Sequence, residues 1–256
     1  MMDFKNKTVA VTGAVGSIGS AIVRRFASLG ANVAICDLRN TEGLADELKK
    51  EGCNAAAFNF DITSREDVEK GFAEIAKTFG RLDGLVNNAG INVGPDERKT
   101  IEAFSDIWWD RIFSVDMTGT FNCSKAAIPL MNKGGSIVNI SSIVGLVPMR
   151  NQCAFAAAKA GVANLTKAMA LELAPKEIRV NCIAPGSVGM ELTYKLWQDE
   201  NAMKGLLAHI PMGRQAKADE IAGPVVFLCS DMASYMTGAV VPVDGGWTAG
   251  GYARNF

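Results

Sequence analysis

Short apolar runs recur along the chain, and between them apolar positions return every three or four residues. The runs are "TVAVT" (8–12), "NVAIC" (32–36), "AAAFNF" (55–60), "GLVNN" (84–88), "SIVNIS" (136–141), "IRVNCIA" (178–184) and "AVVPVD" (239–244). Each is nearly continuously apolar rather than alternating, the pattern of strands buried on both faces of a parallel sheet. One intervening segment carries a helix's start, stripe and stop. "TSRE", beginning at Thr63, offers a capping box with Glu66; Val68, Phe72, Ile75 and Phe79 then form one apolar stripe, and Gly80 ends it. The alternation predicts an α/β fold: a single-domain, doubly wound Rossmann-type parallel sheet of about seven strands, with helices on both faces. No repeat or linker divides residues 1–256, so they are read as one domain.

The long exception is 187–218, which carries Met190, Leu192, Tyr194, Leu196, Trp197, Met203 and Leu207. Ligands of open α/β sheets bind beyond the carboxyl ends of the strands, so this stretch is read as a substrate lid. A packing or subunit-contact segment is the alternative.

Composition narrows the field without changing the fold. A length of 256 residues suits one large domain, and a net charge of −1 gives no reason to expect nucleic acid or an anionic membrane as partner. No stretch approaches the roughly 20 apolar residues of a membrane span, and the start lacks a signal peptide's apolar region. The six cysteines stand singly, which points to free thiols in a reducing cytoplasm rather than a zinc site. With His209 the sole histidine, no metal site is expected.

The first strand runs into "GAVGSIGSAIVRRFASLG". Gly13 allows a tight turn, Gly16 and Gly19 a close approach, and the amino end of the following helix attracts phosphate through its free N–H groups. Asp37 ends the next strand 24 residues after Gly13, near the usual place of a ribose-binding acid. A carboxylate there accepts from ribose hydroxyls and repels a 2′-phosphate, favouring NAD over NADP; Arg39 argues mildly the other way. Asp37 as a plain cap of the following turn is the alternative.

With these residues and "NNAG" (87–90), "IVNISSIVG" (137–145), the lysine of "FAAAK" (155–159), "RVNCIAPG" (179–186) and "VDGG" (243–246), the chain resembles the short-chain dehydrogenase/reductase family over essentially its whole length. The resemblance implies a seven-stranded parallel sheet, a bound nicotinamide dinucleotide, an alcohol or ketone substrate and a homotetramer. It places Gly13, Gly16, Ser17, Ile18 and Gly19 at the pyrophosphate, Asp61 and Ile62 against the adenine, and Asn87, Ala89 and Gly90 along the adenosine ribose. Lys159 would bond the nicotinamide ribose, and Pro185, Gly186 and Val188 would border the nicotinamide. Ser142 would bond the reacting oxygen. A substrate wall would combine Asn92, Val93, Arg150, Gln152, Met190 and Trp197, reading a sugar acid, a polyol, a hydroxysteroid or a 3-oxoacyl thioester.

The chain departs from the family pattern at four points. The middle glycine of T-G-x-x-x-G-x-G is displaced to Gly16, leaving Ser17 to bond phosphate or cap the helix. The active-site asparagine appears as Asp116, in "VDMTG". Met190 stands where a threonine often follows the P-G turn. Phe155 replaces the tyrosine that acts as general acid and base. Phenylalanine keeps the ring and has no proton to give, a loss worth on the order of 10²–10⁴ in rate. The reading that follows is a dehydrogenase impaired by this residue. A nucleotide-binding, non-catalytic homologue acting as sensor or scaffold is the alternative, and relocation of the acid to Tyr194 a third.

Overall fold

In a computed structural model, described for residues 2–189 and 200–250, the seven apolar runs form one sheet with strand order β3-β2-β1-β4-β5-β6-β7. The strands are β1 (Thr8–Thr12), β2 (Asn32–Asp37), β3 (Ala55–Asn59), β4 (Leu82–Asn87), β5 (Met131–Ile140), β6 (Arg179–Pro185) and β7 (Val240–Val243). Every pairing is parallel, with Val9 of β1 beside Val33 of β2 on one side and Gly84 of β4 on the other. All seven carboxyl ends therefore share one edge. The winding reverses between β1 and β4, and a crevice opens outside their carboxyl ends at such a switch point.

Helices α1 (Ser17–Ser28), α2 (Thr41–Lys50), α3 (Arg65–Phe79), α4 (Asp106–Ile112), α5 (Thr120–Ala127), α6 (Cys153–Leu173), α7 (Glu200–Leu207) and α8 (Ala218–Cys229) fill the connections. Ile22, Phe26, Leu48, Ile221 and Val225 of α1, α2 and α8 cover one face of the sheet. Phe72, Ile75, Cys123, Met169 and Leu173 of α3, α5 and α6 cover the other. Both faces are thus dry, which is why the strands read as continuous rather than alternating.

Several expectations shift by a residue or more. The cap of α3 is Ser64, whose Oγ accepts the Asp67 N–H; Thr63 instead bonds Asp61. Burying the apolar stripe fixes the helix phase, and Ser64 is the residue left with extended backbone at the entry. Strand β5 begins at Met131, five residues before the apolar run, because its exposed first half needs no apolar side chains. Gly80 ends α3 with φ of +73°, as its position implied.

Of the segment 187–218, the ends are fixed to each other. Val188 and Ala216 form a parallel bridge, Gly189 N–H donates to Ala216 O, and Ala216 N–H donates to Ser187 O. Met190, Leu192, Tyr194, Leu196 and Trp197 lie outside the described residues. His209, just past α7, stacks on Trp247 at 5.1 Å.

Candidate active site

Four loops meet where β1, β4, β5 and β6 end. The first is the glycine turn. Gly13 has φ of +62°, and a Cβ there would fall 2.7 Å from the Ala89 Cα. A Cβ on Gly19 would fall 2.1 Å from the Gly13 carbonyl oxygen. Only hydrogen fits at either place. Gly16 is the N-cap of α1, without a side-chain cap, and Ser17 is the first helical residue rather than the cap. The exposed Ser17 and half-buried Ile18 thus lie at a helix amino end whose N–H groups no capping side chain claims.

Asp37 braces this turn from β2: its Oδ2 accepts the Val15 N–H at 3.2 Å and its Oδ1 the Leu38 N–H at 2.8 Å. Asp61 Oδ1 accepts from both the N–H and the hydroxyl of Thr63. Leu38, Asp61, Thr63, Ile107, Asp110, Arg111, Ser114 and Val115 line a cleft of about 490 Å³ beside the ends of β2 and β3. Ile62 packs over Gly119 and its carbonyl accepts from Asn122.

The second loop, 88–105, is tied to the first by a clamp that no local pattern reveals. Thr12 Oγ1 accepts the Asn88 and Ala89 N–H groups, while Asn88 Nδ2 donates to the carbonyls of Thr12 and Gly13. Asn87 turns its side chain into the protein, donating to Ser124 Oγ and Asn139 Oδ1, so only its backbone borders the crevice. Further along, Asn92 Nδ2 donates to Gln152 Oε1 at 2.9 Å. Val93 is packed against Ile112, Ala154 and Ala158. Val93 and Gln152 are buried, because they join the loop to the start of α6, and Arg150 alone of the described polar members of the expected substrate wall stands exposed.

Arg98, in the same loop, was not singled out by spacing or motif. It is half-buried, its Nε is enclosed without a hydrogen-bond partner, and burial lowers its guanidinium below the ordinary value.

The centre of the site lies between α6 and the turn of π-helix at Phe113–Gly119 that joins α4 to α5. The four-residue spacing of Phe155 and Lys159 does place them on one face: the Lys159 ammonium sits 5.6 Å from the centroid of the Phe155 ring. Lys159 Nζ also donates to the Ile140 carbonyl at 3.1 Å, and Ser141 Oγ holds the Lys159 carbonyl at 2.7 Å. Asp116, fully buried in the π turn, faces the same ammonium, with Oδ2 at 3.1 Å. That approach is an ion pair by distance but lacks hydrogen-bond geometry. Asp116 Oδ1 accepts the Ile91 N–H at 2.8 Å. The Lys159 charge also favours ionisation of the nearby Cys182 thiol, yet burial dominates and pushes that thiol up to about 11. Ser142 Oγ accepts the Val144 N–H at 3.2 Å, and no acceptor among the described residues takes its own proton.

The fourth loop follows β6. Gly186 N–H donates to Val243 O, and a Cβ on Gly186 would fall 2.7 Å from the Asp244 Cα, so Pro185 and Gly186 run tight against the end of β7.

Comparison with known proteins gives concordant results. The family model described as enoyl-(acyl carrier protein) reductase matches residues 13–248. The trans-4-hydroxycyclohexanecarboxylate dehydrogenase of Sinomonas cyclohexanicum is 42% identical, over 97% of this chain and 95% of its own. The 3-oxoacyl-[acyl-carrier-protein] reductase of Thermotoga maritima is 37% identical, over 96% and 99%. A crystal structure described as that of gox2181 superimposes with a TM-score of 0.92 at 33% identity, covering 97% of this chain and 98% of that one.

Proposed function

The chain belongs to the short-chain dehydrogenase/reductase family, and from that premise we propose that it is an NAD-linked oxidoreductase for a secondary alcohol and its ketone, slowed by Phe155. The observation that carries this reading is the Lys159 ammonium poised over an aromatic ring that bears no hydroxyl. When bound, the nicotinamide cofactor supplies the hydride acceptor or donor. The glycine cradle and the uncapped amino end of α1 fit its pyrophosphate, and Asp37 beside that turn fits a ribose with a free 2′-hydroxyl. Ser142 offers its uncommitted proton to the substrate oxygen. Lys159 would hold a ribose hydroxyl of the bound cofactor. No group at position 155 moves the proton, so exchange falls to water and Ser142.

The substrate we propose carries a carboxylate on or near a ring. We assign Arg98, in the loop after β4, as its anchor: among the described residues this half-buried guanidinium makes no ion pair and its enclosed Nε has no hydrogen-bond partner, a need that a ligand carboxylate within its reach would meet. The relative from Sinomonas cyclohexanicum acts on such a hydroxy acid.

Phe155→Tyr tests the reading. With NAD and a panel of ring hydroxy acids, sugar acids, hydroxysteroids and hydroxyacyl thioesters, turnover should rise at least about a hundredfold while substrate affinity changes little. Equal activity of the two forms on any substrate would sink the account. Removing Arg98 by Arg98→Ala should raise KM for the hydroxy acid at least about tenfold and leave an uncharged alcohol unaffected. A non-catalytic nucleotide binder is the second reading, favoured by the same missing hydroxyl. It predicts saturable NADH binding with no gain from Phe155→Tyr.

A further inference from the structure

A buried ammonium needs an anion, and Lys159 is 5% exposed. Three groups surround it: the Ile140 carbonyl, the π face of Phe155 and the carboxylate of Asp116. Only the last carries charge. Among the described residues Asp116 has no other cation, and its position is over-determined. The π turn at Phe113–Gly119 sets its backbone, the Ile91 N–H holds Oδ1, and Gly90 closes the space beside Oδ2. A Cβ on Gly90 would fall 3.0 Å from Lys159 Nζ and 3.2 Å from Asp116 Oδ2, so backbone lies directly over the pair.

The structure assigns Asp116 the part of a permanent internal counter-ion: it neutralises the Lys159 ammonium that would otherwise draw a proton from a phenol at position 155. Asp116 is a positioning residue, since it touches Lys159 rather than a substrate. The two departures at 116 and 155 then form a matched set. Without a phenol there is no phenolate to compensate Lys159, and the carboxylate supplies the missing negative charge. An asparagine at 116 could still accept the Ile91 N–H, but it would leave the ammonium unbalanced. This inference rests on reading position 155 as the place of the acid–base phenol.

The neighbouring charges do not compete for the role. The π turn is packed by α4, α5 and α6, whose other charged side chains are Asp106, Asp110, Arg111, Lys125, Lys167 and Glu172, all exposed. The buried Cys182 thiol near Lys159 is held protonated by burial at neutral pH.

The test is the titration of an introduced phenol, followed by the near-ultraviolet absorbance of phenolate. The chain contains three tyrosines, so the spectrum of the unaltered protein is subtracted. In Phe155→Tyr the added phenol should titrate at or above the ordinary value of about 10, because the Lys159–Asp116 pair has no net charge. In Phe155→Tyr combined with Asp116→Asn, the midpoint should fall by about 1–3 units, the usual effect of an adjacent opposite charge. Equal midpoints in the two proteins would overturn the assignment. So would a single variant whose phenol already ionises well below the ordinary range, a result that decides the matter even if the double variant does not fold. Phe155→Tyr with Lys159→Met supplies a third comparison: with Asp116 left alone the midpoint should rise above that of the single variant, and a fall would refute the proposal. These titrations need neither cofactor nor substrate, so their failure is distinct from failure of the dehydrogenase reading.

Discussion

A methyl group at Gly19 would have to share space with the Gly13 carbonyl oxygen, whereas one at Gly16 would lie 3.4 Å from the same atom, at ordinary van der Waals distance. Gly16 also has φ of −68°, open to any residue. Gly16→Ala is therefore expected to leave NADH affinity within about threefold of the original by fluorescence titration, since no contact or backbone angle demands glycine there. Gly19→Ala should abolish saturable binding, because the turn or α1 must move to admit the methyl group. Ser17, the residue after the displaced glycine, is exposed at the first turn of α1. At this scale the motif pointed to the turn, but only the distances separate the glycines that matter from the one that does not.

Helix α3 illustrates what patterning does and does not specify. Its stripe and Gly80 terminus were legible because both depend on neighbours within a few residues. The cap was misplaced by one, since Thr63 and Ser64 are chemically alike and only the packed phase of the helix distinguishes them. Ser64→Ala should lower stability by about 1 kcal/mol, and with it the melting temperature by roughly 2–4 °C. Thr63→Ala should instead loosen Asp61 and weaken NADH binding, measured by the same titration. An effect of Ser64→Ala confined to nucleotide affinity would contradict this division of roles.

Across the whole molecule, the exposed Ile107, Trp109, Phe121 and Leu171 lie on α4, α5 and α6, which makes those helices the surface through which assembly is expected. Sedimentation at micromolar concentration should give a particle of several subunits, four being the family expectation, and a mass of 27.2 kDa would exclude it. Acid should also weaken the fold through Asp244. Burial opposes its charge, but bonds from the Thr248 hydroxyl, the Thr248 N–H and the Gly246 N–H outweigh that and hold its carboxyl below the ordinary value. A depressed value in the folded state means that the contribution is complete above the unfolded value of about 4 and disappears as pH falls through the folded one. Calorimetry should show the melting difference between the original chain and Asp244→Asn shrinking below about pH 4.

Seven strands, the parallel sheet, the glycine turn and the shared face of Phe155 and Lys159 were all determined by the sequence itself. Each follows from residues near one another in the chain, where backbone preference and the period of burial act directly. The tertiary structure alone decided that Asp116 meets Lys159, that Thr12 clamps Asn88 and Ala89, and that Asn92 donates to Gln152. Those partners lie 43, 76, 77 and 60 positions apart. Their meeting depends on the strand order that sets β4 between β1 and β5, and on a π turn that no apolar period announces. A charge pair of this kind leaves no mark on local pattern, because what fixes it is the cost of leaving a buried ammonium alone once the sheet has brought its neighbours together.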